Sequence, residues 1–257
     1  MPPAPSTNPP LQGRDADAGT DWRWLYRVGG IAALLMVVVT VLHSGAFFAV
    51  GLPSDVVEWF ALFASNPVGG LAAFEILMVA YVLLYVPVAI ALYVALRRTS
   101  PSLMAIFAGL SLIAVVAFIV ARPAFEMLYL SDGYAAAPTD AQRSAYLAAG
   151  TATLAVFHGT AFYVSYILGS VSGLILALAI LRSAVFSKRT GYLRIASSVL
   201  DFGLFVPTIG LGIAFGSVVC LVVFNILVAR RLLELGRAET VAGRHWPALA
   251  EPLPISG

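Results

Sequence analysis

Charge is scarce in this chain. Of its 257 residues only 11% are Asp, Glu, Lys or Arg, against 60% apolar, whereas a water-soluble domain carries about 25% charged residues. That shortage excludes an ordinary soluble globule. The net charge of +2 is too small, and the basic residues too dispersed, to suit a nucleic-acid partner. Cysteine is nearly missing: the single Cys220 excludes an intrachain disulfide and leaves the redox compartment unread. Familiar chemical signatures are also lacking. There is no G-x-x-x-x-G-K-[ST] phosphate loop, no H-E-x-x-H, no G-x-S-x-G elbow and no D-D-x-x-D acid cluster. No apolar run carries the arginine ladder of a voltage sensor.

What the chain does have is long apolar runs. About 20 apolar residues cross the hydrocarbon core as a helix, and six runs divide the chain into seven hydrophilic segments. Thirteen of the 15 Lys and Arg residues lie in the odd-numbered segments. Basic residues resist translocation and stay cytoplasmic. The expectation is an all-α polytopic membrane bundle in the plasma membrane, with six transmembrane helices and both termini cytoplasmic. Residues 1–22, rich in Pro, Ala, Asp and Gly, read as a disordered tail. The membrane domain covers 23–237, and 238–257 reads as a second loose tail. The first apolar run starts near Val28 and is too long for a secretory signal.

The expected spans are 28–50, 68–96, 103–121 and 159–181, with two short ones sharing 195–229. As one helix, that last run would be about 52 Å long, so Pro207-Thr208-Ile209-Gly210 is read as a turn dividing it. Pro87 predicts a kink in the second span. Segment 52–67 predicts a short interfacial helix on the outer surface, capped by Ser54 or Asp55, with Trp59 at the interface. In the outer segment 122–150, AFEMLYL predicts a short helix and Ser131-Asp132-Gly133 a turn. Thr139-x-x-Gln142 has the form of a capping box. A helix starting there either projects outward, continuous with the fourth span, or bends near Gly150 or Gly159. Gly169-x-x-x-Gly173 and Gly212-x-x-x-Gly216 have the spacing of close helix contacts.

Ionisable groups inside a span are costly and are turned inward, paired or functional. The intramembrane polar candidates are His43, Glu75, His158 and Asp201, with Asn225 as a neutral companion. Depth counting gathers His43, Glu75 and His158 near the outer leaflet, with Arg122 and Glu126 at the rim, four residues apart and able to pair. If the three converge they form a polar pocket open to the exterior; a buried hydrogen-bonded network is the competing reading. A divalent metal or a haem on His43, His158 and Glu75 lacks the support of any H-x-x-x-H spacing, and no cofactor is expected. Ser165, Gly169 and Ser172 form a small polar stripe read chiefly as a packing face, and Tyr81, Tyr85 and Tyr163 are candidate cavity linings.

Four stretches carry a resemblance: RVGGIAALL, LYVALRR, FSKRTGYLRIASSVLDFG and FNILVARRLLELGR. Over roughly 25–237 the chain resembles an uncharacterised bacterial family of six-span membrane proteins, one of the domain-of-unknown-function families. The resemblance implies a membrane helical bundle and brings no reaction or catalytic residue. The expected activity is therefore binding or transport of a small molecule or ion through the polar pocket. The alternatives are a small membrane enzyme acting on a lipid-like substrate, or a non-catalytic scaffold or sensor. The lipid bilayer is the expected partner, and a homo-oligomer or another membrane protein is left open.

Overall fold

The computed structural model describes residues 22–157, 159–206 and 208–242. The described residues are helical and contain no strand. Helix α1 (Arg23–Val50) shows how the sequence makes a membrane-type helix. Its buried stripe is small: Gly29, Gly30, Ala32 and Ala33, flanked by Tyr26 and Met36. Its large residues Ile31, Leu34, Leu35, Val38 and Val41 face outward. This inverts the soluble pattern, because lipid solvates large aliphatic side chains and close packing drives the helices together. Gly29 and Gly30 permit that approach on two sides at once. A Cβ at Gly29 would stand 2.7 Å from the Ala91 Cβ, and one at Gly30 2.7 Å from the Leu233 Cγ.

The segment after α1 forms α2 (Val56–Ser65) and α3 (Pro67–Leu71), then one π-helical turn (Ala72–Ile76) running into α4 (Leu77–Leu96). Asp55 caps α2, its Oδ1 accepting from the Val57 and Glu58 N–H groups at 2.9 and 3.0 Å. Glu58 reaches back to accept from the Ser54 N–H at 2.7 Å, closing the start of the helix. Pro87 lies within α4 without ending it; the change of helical type falls earlier, in the π turn. Helix α5 (Pro101–Val120) follows, then α6 (Ala124–Ala136), α7 (Asp140–Phe157) and α8 (Thr160–Arg182). Last come α9 (Lys188–Asp201), a 3-10 turn (Phe202–Phe205) and α10 (Gly210–Ala242).

Six of these helices close into a ring. Helix α1 packs on α4, α4 on α5, α5 on α8, α8 on α9, α9 on α10, and α10 on α1 again. At one pole, Arg97 lies over the Trp22 ring at 5.2 Å. Gly236 meets Arg27 there, and the Arg231 Nε–H donates to the Val185 carbonyl at 2.5 Å. The basic ends of α1, α4, α8 and α10 therefore share this pole. The opposite pole is capped by α2, α6 and α7.

Several local expectations change. Trp59 is not at an interface: it is 2% exposed, with its ring 4.5 Å from Phe74, 5.9 Å from Phe157 and 6.0 Å from Phe63. Helix α2 is thus folded into an apolar cap with α6 and α7. Ser131-Asp132-Gly133 is not a turn, since α6 runs through it. The Ser131 Oγ–H donates to the Phe60 carbonyl at 2.9 Å, and Gly133 packs against the Tyr146 ring, so these residues serve α6 packing instead. The capping interaction forms, with the Gln142 N–H 3.3 Å from the Thr139 Oγ1. The helix that follows breaks before α8, with Gly159 as the cap residue. Helix α9 ends at Asp201, before the turn expected at Pro207-Thr208-Ile209-Gly210, so Asp201 stands at a helix end and not midway along a span. The 3-10 turn follows, Pro207 lies outside the described residues, Thr208 takes φ 72°, and α10 starts at Gly210. Helix α9, however, begins at Lys188 and has only 14 residues, about 21 Å of rise, less than the hydrocarbon thickness of about 30 Å.

Candidate functional site

Two apolar clusters form the core, one within the ring and one under the cap. The cluster toward the basic pole includes Met36, Leu92, Phe107, Ile180, Phe224 and Leu232. The cluster under the cap includes Trp59, Phe63, Phe74, Met127 and Phe157. Along α1 and α4, Thr40, His43, Tyr81 and Tyr85 fall between the residues of the two clusters, whereas Arg194 and Asn225 border the first cluster at Phe224.

Toward the cap, the π turn carries the first group. A π turn leaves backbone groups out of the regular α ladder. Here His43 of α1 reaches Ala73, with Nε2 donating to its carbonyl at 3.0 Å. Glu75, two residues on, is 6% exposed, and its Oε2 accepts from the Ala124 N–H at 3.0 Å. Pro123, the residue before α6, provides no side-chain cap. The Glu75 carboxylate therefore caps α6 from a distant part of the chain. Arg122 stands close enough to Glu75 and His43 to act on both electrostatically. Its guanidinium lies over the Phe118 ring at 4.1 Å and near the Phe157 ring at 5.4 Å. Its buried Nε has no hydrogen-bond partner.

Elsewhere in the ring, at the α9–α10 contact, Asp201 accepts a short hydrogen bond from the Ser217 hydroxyl. Ser217 also meets the Ser197 Oγ at 3.2 Å. One turn before Ser198, Arg194 is 8% exposed, its Nη2 3.5 Å from the Gly169 carbonyl and its guanidinium 5.5 Å from the Phe224 ring. Asn225 is buried, and its side chain lies beside the Tyr81 hydroxyl. Tyr166 of α8 packs against Phe118 and Phe162 and lies within electrostatic reach of both Arg122 and Asp201. Arg122 thus lies within electrostatic reach of Glu75 and Tyr166, and Asp201 joins Ser217 and Ser197, while Arg194 and Asn225 lie nearer the basic pole at the level of Phe224.

The sequence candidates divide accordingly. His43 and Glu75 come to one turn, although each bonds to backbone and not to the other. Arg122 joins them; Glu126 does not, being exposed on α6, and among the described residues no ion pair connects Arg122 with Glu126. Aromatic faces hold the guanidinium instead. Asp201 lies apart from them at the α9–α10 contact with Ser217, and Asn225 two turns further along α10 beside Tyr81. His158 lies outside the described residues, so the three-residue pocket and the metal or haem set that needs it are not assembled here. No group of three His, Cys, Asp or Glu side chains converges among the described residues. Tyr81 lies inside, and Tyr85 meets the Ser111 Oγ at 3.2 Å, whereas Tyr163 is half-exposed beside Phe205. The Ser165 and Ser172 hydroxyls bond to carbonyls of their own helix.

Arg194 and Ser198 are what the sequence reading missed. Arg194 counts there as a loop cation next to Lys188 and Arg189, yet it sits inside the ring. The available signal was spacing: Arg194, Ser197, Ser198 and Asp201 fall at helical intervals on one face. Of the glycine pairs, Gly173 has a close neighbour, because a Cβ there would collide with Arg194 and Ser198; Gly169 and Gly212 have open space.

These features define an all-helical protein with four stretches among the described residues long and apolar enough to cross a membrane: Arg23–Val50, Pro67–Leu96, Pro101–Ala136 and Asp140–Arg182. The chain belongs to the family described as a domain of unknown function, DUF4386, whose model matches residues 30–233. No curated protein and no solved structure matches it.

Proposed function

We propose that the protein crosses the plasma membrane six times with both termini in the cytoplasm, and that it binds a small polar solute or ion inside the ring and passes it across the bilayer. The gathering of basic helix ends at one pole supports the orientation. The observation carrying the activity is the set of polar side chains inside the ring: His43 and Glu75, Asp201 with Ser217, and Arg194 with Asn225. Polar groups inside such a bundle are expensive, and a purely structural bundle would have little use for a buried arginine, Arg194, a buried carboxylate, Glu75, and the half-buried Arg122 and Asp201 within one ring.

The test uses proteoliposomes with a trapped pH-sensitive dye and an imposed pH gradient. Wild-type protein collapses the gradient faster than empty vesicles do, and Asp201→Asn, with its melting behaviour retained, does not. Collapse unaffected by Asp201→Asn, or no collapse in the wild type, rejects the reading.

A further inference from the structure

Around Arg194 the ring is rich in donors and poor in acceptors. An arginine carries five N–H donors. The structure gives this one a single distant acceptor, the Gly169 carbonyl 3.5 Å from Nη2, and its Nε has none. The Ser198 Oγ is likewise buried without a partner, and the buried Asn225 Nδ2 has only the Tyr81 hydroxyl beside it and no well-formed hydrogen bond. All three residues are more than nine-tenths buried, at 8%, 3% and 0% exposure. They are also neighbours. Arg194 and Ser198 both press on the bare α-carbon of Gly173, Phe224 lies under the guanidinium and precedes Asn225 in the chain, and Tyr81 adjoins Arg194 and Asn225. The acid on the same helix lies within electrostatic reach of Arg194 but makes no ion pair with it. Asp201 is seven residues further along, about 10 Å by helical rise, and is engaged by Ser217.

We propose that Arg194, Ser198 and Asn225 form a recognition site for an oxyanion, a carboxylate or phosphate-type group on the molecule that occupies the ring. The inference rests on the reading that the ring holds a ligand. A guanidinium buried away from water requires a counter-charge. Its planar fork matches the paired oxygens of a carboxylate or phosphate better than it matches a spherical anion. The Asn225 amide and the Ser198 hydroxyl add donors beside the fork. A cation is disfavoured by the same arginine. The chemistry is shared by soluble acids and by acidic lipid headgroups.

The test follows the thermal unfolding midpoint of the full chain in nonionic detergent. The soluble probes are acetate and inorganic phosphate; lysophosphatidic acid mixed into the micelles is a separate arm, and chloride at matched ionic strength is the control. At least one oxyanion raises the midpoint saturably while chloride does not, and the responding arm identifies a soluble or a lipid-borne source. Arg194→Lys weakens the response at least tenfold, and Asn225→Asp, which sets a carboxylate against the ligand, abolishes it. Ser198→Ala removes one hydroxyl and weakens it several-fold; it carries the test should the other variants not fold. The proposal is overturned if no oxyanion exceeds chloride, or if Ser198→Ala responds like the wild type. Saturable oxyanion binding without collapse of a pH gradient keeps this site and removes the transport reading; collapse without oxyanion binding does the reverse.

Discussion

Replacing Glu75 separates a structural role from a chemical one. The carboxylate accepts the Ala124 N–H at 3.0 Å from a position only 6% exposed. Truncation in Glu75→Ala leaves that buried amide without an acceptor, which costs about 1–3 kcal/mol. It also removes the negative charge from the N-terminus of α6, a further ~0.3–1 kcal/mol. Arg122 loses the carboxylate acting on it as well. Glu75→Gln differs in one respect that matters: its amide oxygen still accepts from Ala124. The expected destabilisation is therefore about 2–3 kcal/mol for Ala and about 1 kcal/mol for Gln. Thermal unfolding in detergent, followed by circular dichroism, orders the three proteins as wild type, Gln, Ala. Limited proteolysis adds a local readout, because α6 is the element released. Equal midpoints for Gln and Ala, or an Ala variant as stable as the wild type, would falsify the capping role.

Gly173→Ala inserts a methyl where Arg194 and Ser198 already sit, and overpacking of this kind costs about 1–3 kcal/mol. Gly169→Ala, with open space at its Cβ, is neutral or gains up to about 1 kcal/mol of helix propensity; a reversed order in unfolding experiments contradicts the packing described. Trp59→Ala empties the centre of the cap and lowers stability by about 3–5 kcal/mol. Trp24, 74% exposed, tolerates Ala within about 0.5 kcal/mol; comparable losses at both tryptophans in chemical denaturation would place α2 on the surface after all.

Much of the fold is legible in one dimension. Apolar run length marks long helices because each must match the hydrocarbon thickness. The basic residues mark one pole, and in the ring the start of α1 and the ends of α4, α8 and α10 do meet there. Local chemistry is equally readable: Asp55 caps α2, Thr139 caps α7, and the chain breaks beside Gly210, because caps and turns depend on neighbours a few residues away. The reading errs at Ser131-Asp132-Gly133, where Phe60 and Tyr146 supply partners that outweigh the local turn preference.

The sequence by itself determined composition, helix content, the main breaks and which polar residues fall inside apolar runs. Only the tertiary structure decided which of them meet. Depth along a helix follows from counting residues at constant rise, but sideways convergence depends on which faces pack, and that depends on small residues such as Gly29, Gly30 and Gly173 in contact with distant helices. For that reason Glu75 finds Ala124, Glu126 is left outside, and Arg194, counted along the chain as a loop cation, becomes a buried donor in the ring.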